Sequence, residues 1–231
     1  SISMSEARGR RKSGGGRSAR QASRAADTVT APAFITRQLN PFEVLDEAGL
    51  ELIERNADII LAETGIEFRD DPEALAVLKA AGASVDGERV RFPHGMCRQI
   101  IQASAPSTYT QHARNSERNL DIGGKNTIFA PGYGCPFVRD LDNGRRYATI
   151  NDFQNFVKLA YMSPYMHHSG GTVCEPVDVP VTTRHLDMLY SHIKYSDKAF
   201  MGSVTAPSRA QDTVNMAKIV FGRSEERRVG K

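Results

Sequence analysis

Apolar positions along the chain change their spacing several times, and each change marks an element. After Asn40-Pro41, Leu45, Ala48, Leu52 and Ile59 recur on or near one helical face, and Gly65 closes that helix. Ile66 and Phe68 alternate as a short strand would. Asp71-Pro72 combines an N-cap with proline at the first helical position and predicts a helix carrying Leu75 and Leu78 up to Gly82. Val85-Asp86-Gly87, followed by Val90 and Phe92, predicts a small hairpin. A helix from about Pro93 presents Met96, Ile100 and Ile101 and ends before Pro106, and Tyr109–His112 and Asn119–Ile122 suit strands. Residues 38–122 therefore read as a mostly helical N-terminal extension.

Beyond Ile122 the pattern becomes a repeat. Apolar or extended runs start near 127, 166 and 199: Thr127–Ala130, Met166–Cys174 and Ala199–Val204. Helical patterns follow each of them. The first is capped at Asn151-Asp152 and carries Phe153, Phe156, Val157 and Ala160. The second runs from about Thr182 to Tyr195 with Leu186, Leu189 and Ile193, and the third starts at Pro207-Ser208. Strands alternating with helices at this spacing predict parallel strands joined by crossover helices. The fold class is α/β, with residues 123–222 forming the first three βα units of a (β/α)8 barrel cut short. Residues 223–231 have no apolar periodicity and read as a foreign tail on a truncated chain.

Composition narrows the class. The chain has 231 residues, 40% hydrophobic and 25% charged, ordinary for a globular chain able to bury a core. No apolar run reaches the roughly 18 residues of a membrane helix. The three cysteines, Cys97, Cys135 and Cys174, lie far apart and form no disulfide or zinc pattern, which favours a reducing, cytoplasmic setting. The net charge of +3 hides an asymmetry: residues 1–37 hold eight Lys and Arg against Glu6 and Asp27. That Gly/Ser/Arg-rich stretch has little to bury and reads as a disordered basic leader. A phosphate-binding arm is the alternative, but no aromatic residue interleaves its arginines, so nucleic acid is not the expected partner.

Chemistry is expected at the carboxyl ends of the parallel strands, where α/β folds place their ligands. Gly132-Tyr133-Gly134 lies at the first end and lacks the third glycine of a dinucleotide loop. Cys135 beside it is expected to be a buried, inert thiol. His167 and His168 point to opposite faces of the second strand, a poor metal pair, and each reads as a satisfied core or interface histidine. Gly170-Gly171 removes bulk near the second end and permits close approach of a ligand. Glu175 follows that strand, and Thr205 follows the third. No metal site is expected, and the chain has no Walker loop, nucleophile elbow or zinc-protease motif.

In order, the segments Gly65-Ile66-Glu67-Phe68, Phe129-Ala130-Pro131-Gly132-Tyr133-Gly134, His168-Ser169-Gly170-Gly171-Thr172 and Gly202-Ser203-Val204-Thr205 resemble those of the trimethylamine:corrinoid methyltransferase family. The resemblance covers Gln38 to about Gly222, the N-terminal half of such a protein, and is nearest to a bacterial member without pyrrolysine. It implies a (β/α)8 barrel behind a helical extension. It implies transfer of a methyl group from trimethylamine, or from a quaternary amine such as glycine betaine, to the Co(I) of a corrinoid. That cofactor is carried by a separate corrinoid protein, and the full-length enzyme is expected to be a homo-oligomer. Tyr133, Glu175 and Thr205 would line the substrate cavity, and bare Gly132, Gly134, Gly170 and Gly171 would admit the corrin ring. The truncated chain alone is expected to be inactive. The alternative is a non-catalytic interaction protein with a basic arm.

Overall fold

A computed structural model describes residues 32–222. The tail expected at 223–231 and all but the last residues of the expected leader lie outside the described residues. The described chain divides into two compact units.

The first unit holds Thr36–Tyr109 and Ile122–Thr127. Its elements are α1 (Glu47–Ile59), β2 (Ile66–Glu67), α2 (Pro72–Ala80), β3 (Ser84–Asp86), β4 (Arg89–Arg91), α3 (Met96–Ser104) and β7 (Asn126–Thr127), while the unit boundaries fall inside β1 (Ile35–Thr36), β5 (Thr108–Gln111) and β6 (Leu120–Gly123). Asp46 caps α1 by accepting the Gly49 N–H, and Asp71 caps α2 by accepting from Ala74 with Pro72 behind it. α1 widens into a π-type turn over Ile60–Thr64 that the apolar spacing does not announce. Gly65 then ends it at φ 71°, where a Cβ would lie 2.3 Å from the Val90 carbonyl oxygen. Only glycine fits that approach. The sheet β2–β4–β3 is antiparallel, and Val90 and Phe92 anchor a core with Leu61, Phe68, Leu75 and Leu78.

The second unit holds Thr110–Asp121 and the chain from Ile128 onward. It contains the antiparallel hairpin β8 (Phe137–Asp140) and β9 (Gly144–Tyr147), then α4 (Ile150–Met162), α5 (Arg184–Tyr195) and α6 (Pro207–Phe221). The three helices stand where the spacing predicts them. The strands expected at 127–130, 166–174 and 199–204 are not regular strands. They are extended segments lying side by side in one direction. His167 and His168 donate to the Phe129 carbonyl, and Gly134 donates to that of Thr172. Ser169 donates to Ala199, and Met201 donates to Gly170. Gly134 and Gly170 at φ 85° and 97°, with Pro131 and Pro136, interrupt what would otherwise be continuous ladders. No closed barrel is present among the described residues.

The core of this unit joins Phe153 and Val157 of α4 to Val173, Cys174 and Met188, with Val138 and Ala148 from the hairpin. The N-cap of α4 is Thr149 rather than Asn151-Asp152. Its hydroxyl accepts the Asp152 N–H, while the Asp152 carboxylate accepts from Thr149, a complete capping box. Arg146 donates to Asp152 from two nitrogens at 2.6 and 2.8 Å and also to Asp140, locking the hairpin to the helix. Asp152→Ala removes the box and the clamp together. It should lower stability by about 1–2 kcal/mol, read as a shifted urea midpoint with unchanged slope.

Candidate functional site

The ends of the three parallel segments form one rim within the second unit. Glu175 donates its backbone N–H to the Cys135 carbonyl, and Val177 donates to Ala148. These bonds tie the end of the second segment to the end of the first and to the hairpin root. Arg209, in the first turn of α6, donates to the Thr205 hydroxyl at 2.6 Å and to the Val181 carbonyl at 3.0 Å. It thereby fastens the loop after the third segment to the loop after the second.

Tyr133 stands on this rim, half exposed. Its ring passes over bare backbone at Gly171: a Cβ there would lie 3.7 Å from Tyr133 Cζ and 3.5 Å from Met201 Cβ. Partial burial pushes the phenol pKa up, so the ring is neutral at physiological pH. Tyr133, Gly171 and Met201 are thus brought together as a ledge of aromatic ring and bare backbone, with Met201 beside it through its Cβ and carbonyl. Glu175 shares the rim through its backbone, and its side chain is exposed. Thr205 differs: its hydroxyl is already taken by Arg209.

The four glycines separate by cause. Gly132 and Gly134 are exposed and have open space where a Cβ would be. At Gly170 a Cβ would meet Val173 Cγ1 at 2.8 Å and Pro131 at 3.3 Å, with φ at 97°. Packing and backbone conformation explain that glycine. At Gly171 a Cβ would be in ordinary van der Waals contact with Met201 and Tyr133, so neither packing nor backbone conformation demands that glycine.

Below the ledge lies a group of buried histidines. His192 Nε2 donates to the Gly171 carbonyl at 2.8 Å, which leaves Nδ1 to accept from the Ser169 hydroxyl at 2.7 Å. His168 Nδ1 accepts the Gly170 N–H at 2.8 Å. Burial pushes both down to about 4, so both are neutral at pH 7. His167 Nδ1 accepts the Phe129 N–H, and its buried Nε2 has no partner among the described residues. Each of the pair His167-His168 therefore secures backbone. His192 escaped the sequence reading, although His185, Met188, Leu189 and His192 share one helical stripe and all four are buried. Cys135 is exposed, contrary to expectation, because its turn faces outward. Cys174 is the buried thiol, with burial pushing it up to about 12.

The first unit has an open groove of about 660 Å³ between α1 and α3, bordered by Leu61, Ile101 and the Glu54–Arg98 pair. It contains none of the expected site residues. No helix among the described residues is long and apolar enough to cross a membrane.

The profile of the trimethylamine methyltransferase (MTTB) family matches residues 13–230. The glycine betaine methyltransferase of Desulfitobacterium hafniense (strain Y51) is 48% identical over 186 residues, 80% of this chain and 38% of the relative. The proline betaine:corrinoid methyltransferase of Eubacterium limosum is 27% identical over 179 residues, 74% of this chain and 36% of the relative. The chain thus spans less than two fifths of the length of these curated relatives.

Proposed function

The chain belongs to the trimethylamine methyltransferase family, and on that premise we propose that it is part of an enzyme moving a methyl group from a quaternary amine to a protein-bound corrinoid. Glycine betaine is the substrate to test first. The observation that carries the reading is the 48% identity to a glycine betaine methyltransferase across 80% of this chain. The Tyr133 ledge supplies a physical reason. A quaternary ammonium has no N–H to donate, so hydrogen bonds cannot hold its cationic end. An aromatic face can, and Tyr133 offers one over bare Gly171. Glu175 adds a compensating charge at the rim, and Thr205 keeps the third loop in place through Arg209.

When bound, the corrinoid supplies a two-electron cobalt(I) nucleophile. The open space at Gly132 and Gly134 fits the edge of so large a ring, and the chain would hold it there by shape. The departing amine keeps the C–N electron pair, so its nitrogen leaves uncharged and needs no proton. The protein must therefore supply position rather than a proton, and the rim achieves this by holding the methyl group in line. The three parallel segments with α4 and α5 between them support the first units of a (β/α)8 barrel, completed in a longer protein.

In the full-length enzyme, Tyr133→Leu keeps apolar bulk and loses the ring's electron-rich face. kcat/KM for glycine betaine should fall roughly 2- to 30-fold, the range of a cation–π contact. The melting temperature should stay within a few degrees. An unchanged kcat/KM would remove Tyr133 from the site. Failure of the parent enzyme to methylate Co(I) from glycine betaine, proline betaine or trimethylamine would overturn the function itself.

A further inference from the structure

We propose that the outer face of the β8–β9 hairpin is the docking surface for the corrinoid-carrying protein and meets an acidic patch on it. The inference rests on the proposed function and deepens it by naming where the second protein sits.

Register decides which residues share that face. Phe137 pairs with Tyr147, Val138 with Arg146, and Arg139 with Arg145. Val138 is buried, so the Val138–Arg146 side faces the core and the two flanking pairs face out. On the inner side Arg146 is neutralised by Asp140 and Asp152. On the outer side Arg139 and Arg145 stand directly opposite each other, both exposed. Like charges so placed destabilise a two-stranded ribbon. An anionic partner would relieve that repulsion.

The hairpin is also rigid in a way its own fold does not require. Asp140 accepts the N–H groups of Asp142 and Asn143, fixing the turn, and Arg146 bolts the ribbon to α4. The Phe137 and Tyr147 rings pack at 4.6 Å between centroids with a 31° tilt, and the Arg145 guanidinium lies 3.6 Å over the Phe137 centroid. This stiff element carries Leu141 at its tip, fully exposed. An apolar anchor on a pre-organised, basic and aromatic face has the composition of a protein-binding hot spot. Its root is hydrogen-bonded to the rim, where Ala148 donates to Pro136 and accepts from Val177. A protein delivering cobalt to Tyr133 would pass beside it.

The test compares two methyl acceptors with the full-length enzyme: the Co(I) corrinoid protein, which must dock, and free cob(I)alamin, which need not. Arg139→Glu/Arg145→Glu should raise KM for the corrinoid protein at least tenfold. It should also flatten the dependence of that KM on salt, because rim charges act through long-range attraction. Turnover with free cob(I)alamin, the amine KM and the far-UV spectrum should stay unchanged. If free cob(I)alamin is not accepted by the parent, the amine KM at saturating corrinoid protein serves as the control. Leu141→Ala, which changes no charge, should also raise KM for the protein acceptor while leaving its salt dependence. An unchanged KM for the corrinoid protein would overturn the proposal. So would equal losses with both acceptors, or unfolding of both the double variant and Arg139→Gln/Arg145→Gln, which would mean the enzyme's own chain covers this face. A parent enzyme inactive with every acceptor would instead sink the proposed function, and the inference with it.

Discussion

Between pH 6.5 and 4.5 the protein should lose stability steeply, at up to about 1.4 kcal/mol per pH unit for each of two histidines. The groups are His168 and His192, both held down to about 4 by burial, against 6.5 when solvated. Their folded pKa lies below the unfolded one. In this window the unfolded chain takes up protons that the folded chain refuses. Stability is therefore fully present above pH 6.5 and drains away as pH falls toward 4, by about 3 kcal/mol per residue at the lower end. His167 is shifted the same way and adds to the loss. Asp58, Glu67, Asp140 and Asp152 are lowered by their hydrogen bonds and cationic partners, so the stability they hold is full in the upper part of this window and starts to be lost only at about pH 5, as the unfolded carboxylates begin to protonate.

The loss should reach the rim before the protein unfolds. A proton on His168 Nδ1 would face the Gly170 N–H that it now accepts. A proton on His192 Nδ1 would force the Ser169 hydroxyl to turn. Both events loosen the backbone of Gly170 and Gly171 under Tyr133. Urea midpoints measured at half-unit steps of pH check the prediction. His192→Gln should lower stability at pH 7 and flatten the slope between pH 6.5 and 4.5. A slope identical to that of the parent would show that His192 does not titrate with folding.

The same residues mark what could be read from sequence. The helices were legible because caps, proline and apolar spacing agreed: Asp71-Pro72 for α2 and Pro207 for α6. The parallel order of the second unit was also legible, because three extended runs recur at crossover spacing. Their raggedness was not, since it follows from glycines at positive φ whose conformation only packing reveals. The β8–β9 hairpin was missed although Asn143-Gly144 is a turn signal. Its strands are short and charged, and Val138 is their only buried residue. The place of Tyr133 on the rim was legible from its position after an apolar run beside bare glycines. The separate fate of Thr205 was not, because it depends on Arg209 reaching back from the next helix. His192 was hidden because apolar periodicity counts leucines and passes over a buried histidine on the same stripe.

At the opposite end of the parallel segments the demands on side chains are structural, and Lys198→Met should cost about 3–5 kcal/mol, a large share of a typical domain's stability. Lys198 is 3% exposed, and its ammonium donates to the carbonyls of Ala160, Ser163 and Met166 at 2.8, 3.1 and 2.6 Å. Three N–H groups meet three acceptors around the C-terminus of α4, where a cation also complements the helix dipole. Burial lowers its pKa to about 8, which still leaves it protonated at pH 7. Methionine would fill most of the space and take the ammonium from all three carbonyls, of which only that of Ser163 keeps another donor, the Met166 N–H. Because Met166 opens the second segment and Lys198 precedes the third, one side chain joins α4 to both. Lys198→Arg keeps the charge but replaces a compact ammonium with a planar fork that cannot reach three converging carbonyls, so it should restore only part of the loss. Whatever folded Lys198→Met enzyme remains should bind amine with unchanged KM, the reverse of Tyr133→Leu. A melting temperature for Lys198→Met within two degrees or so of the parent would mean that water replaces the ammonium at those carbonyls and that the buried charge contributes little.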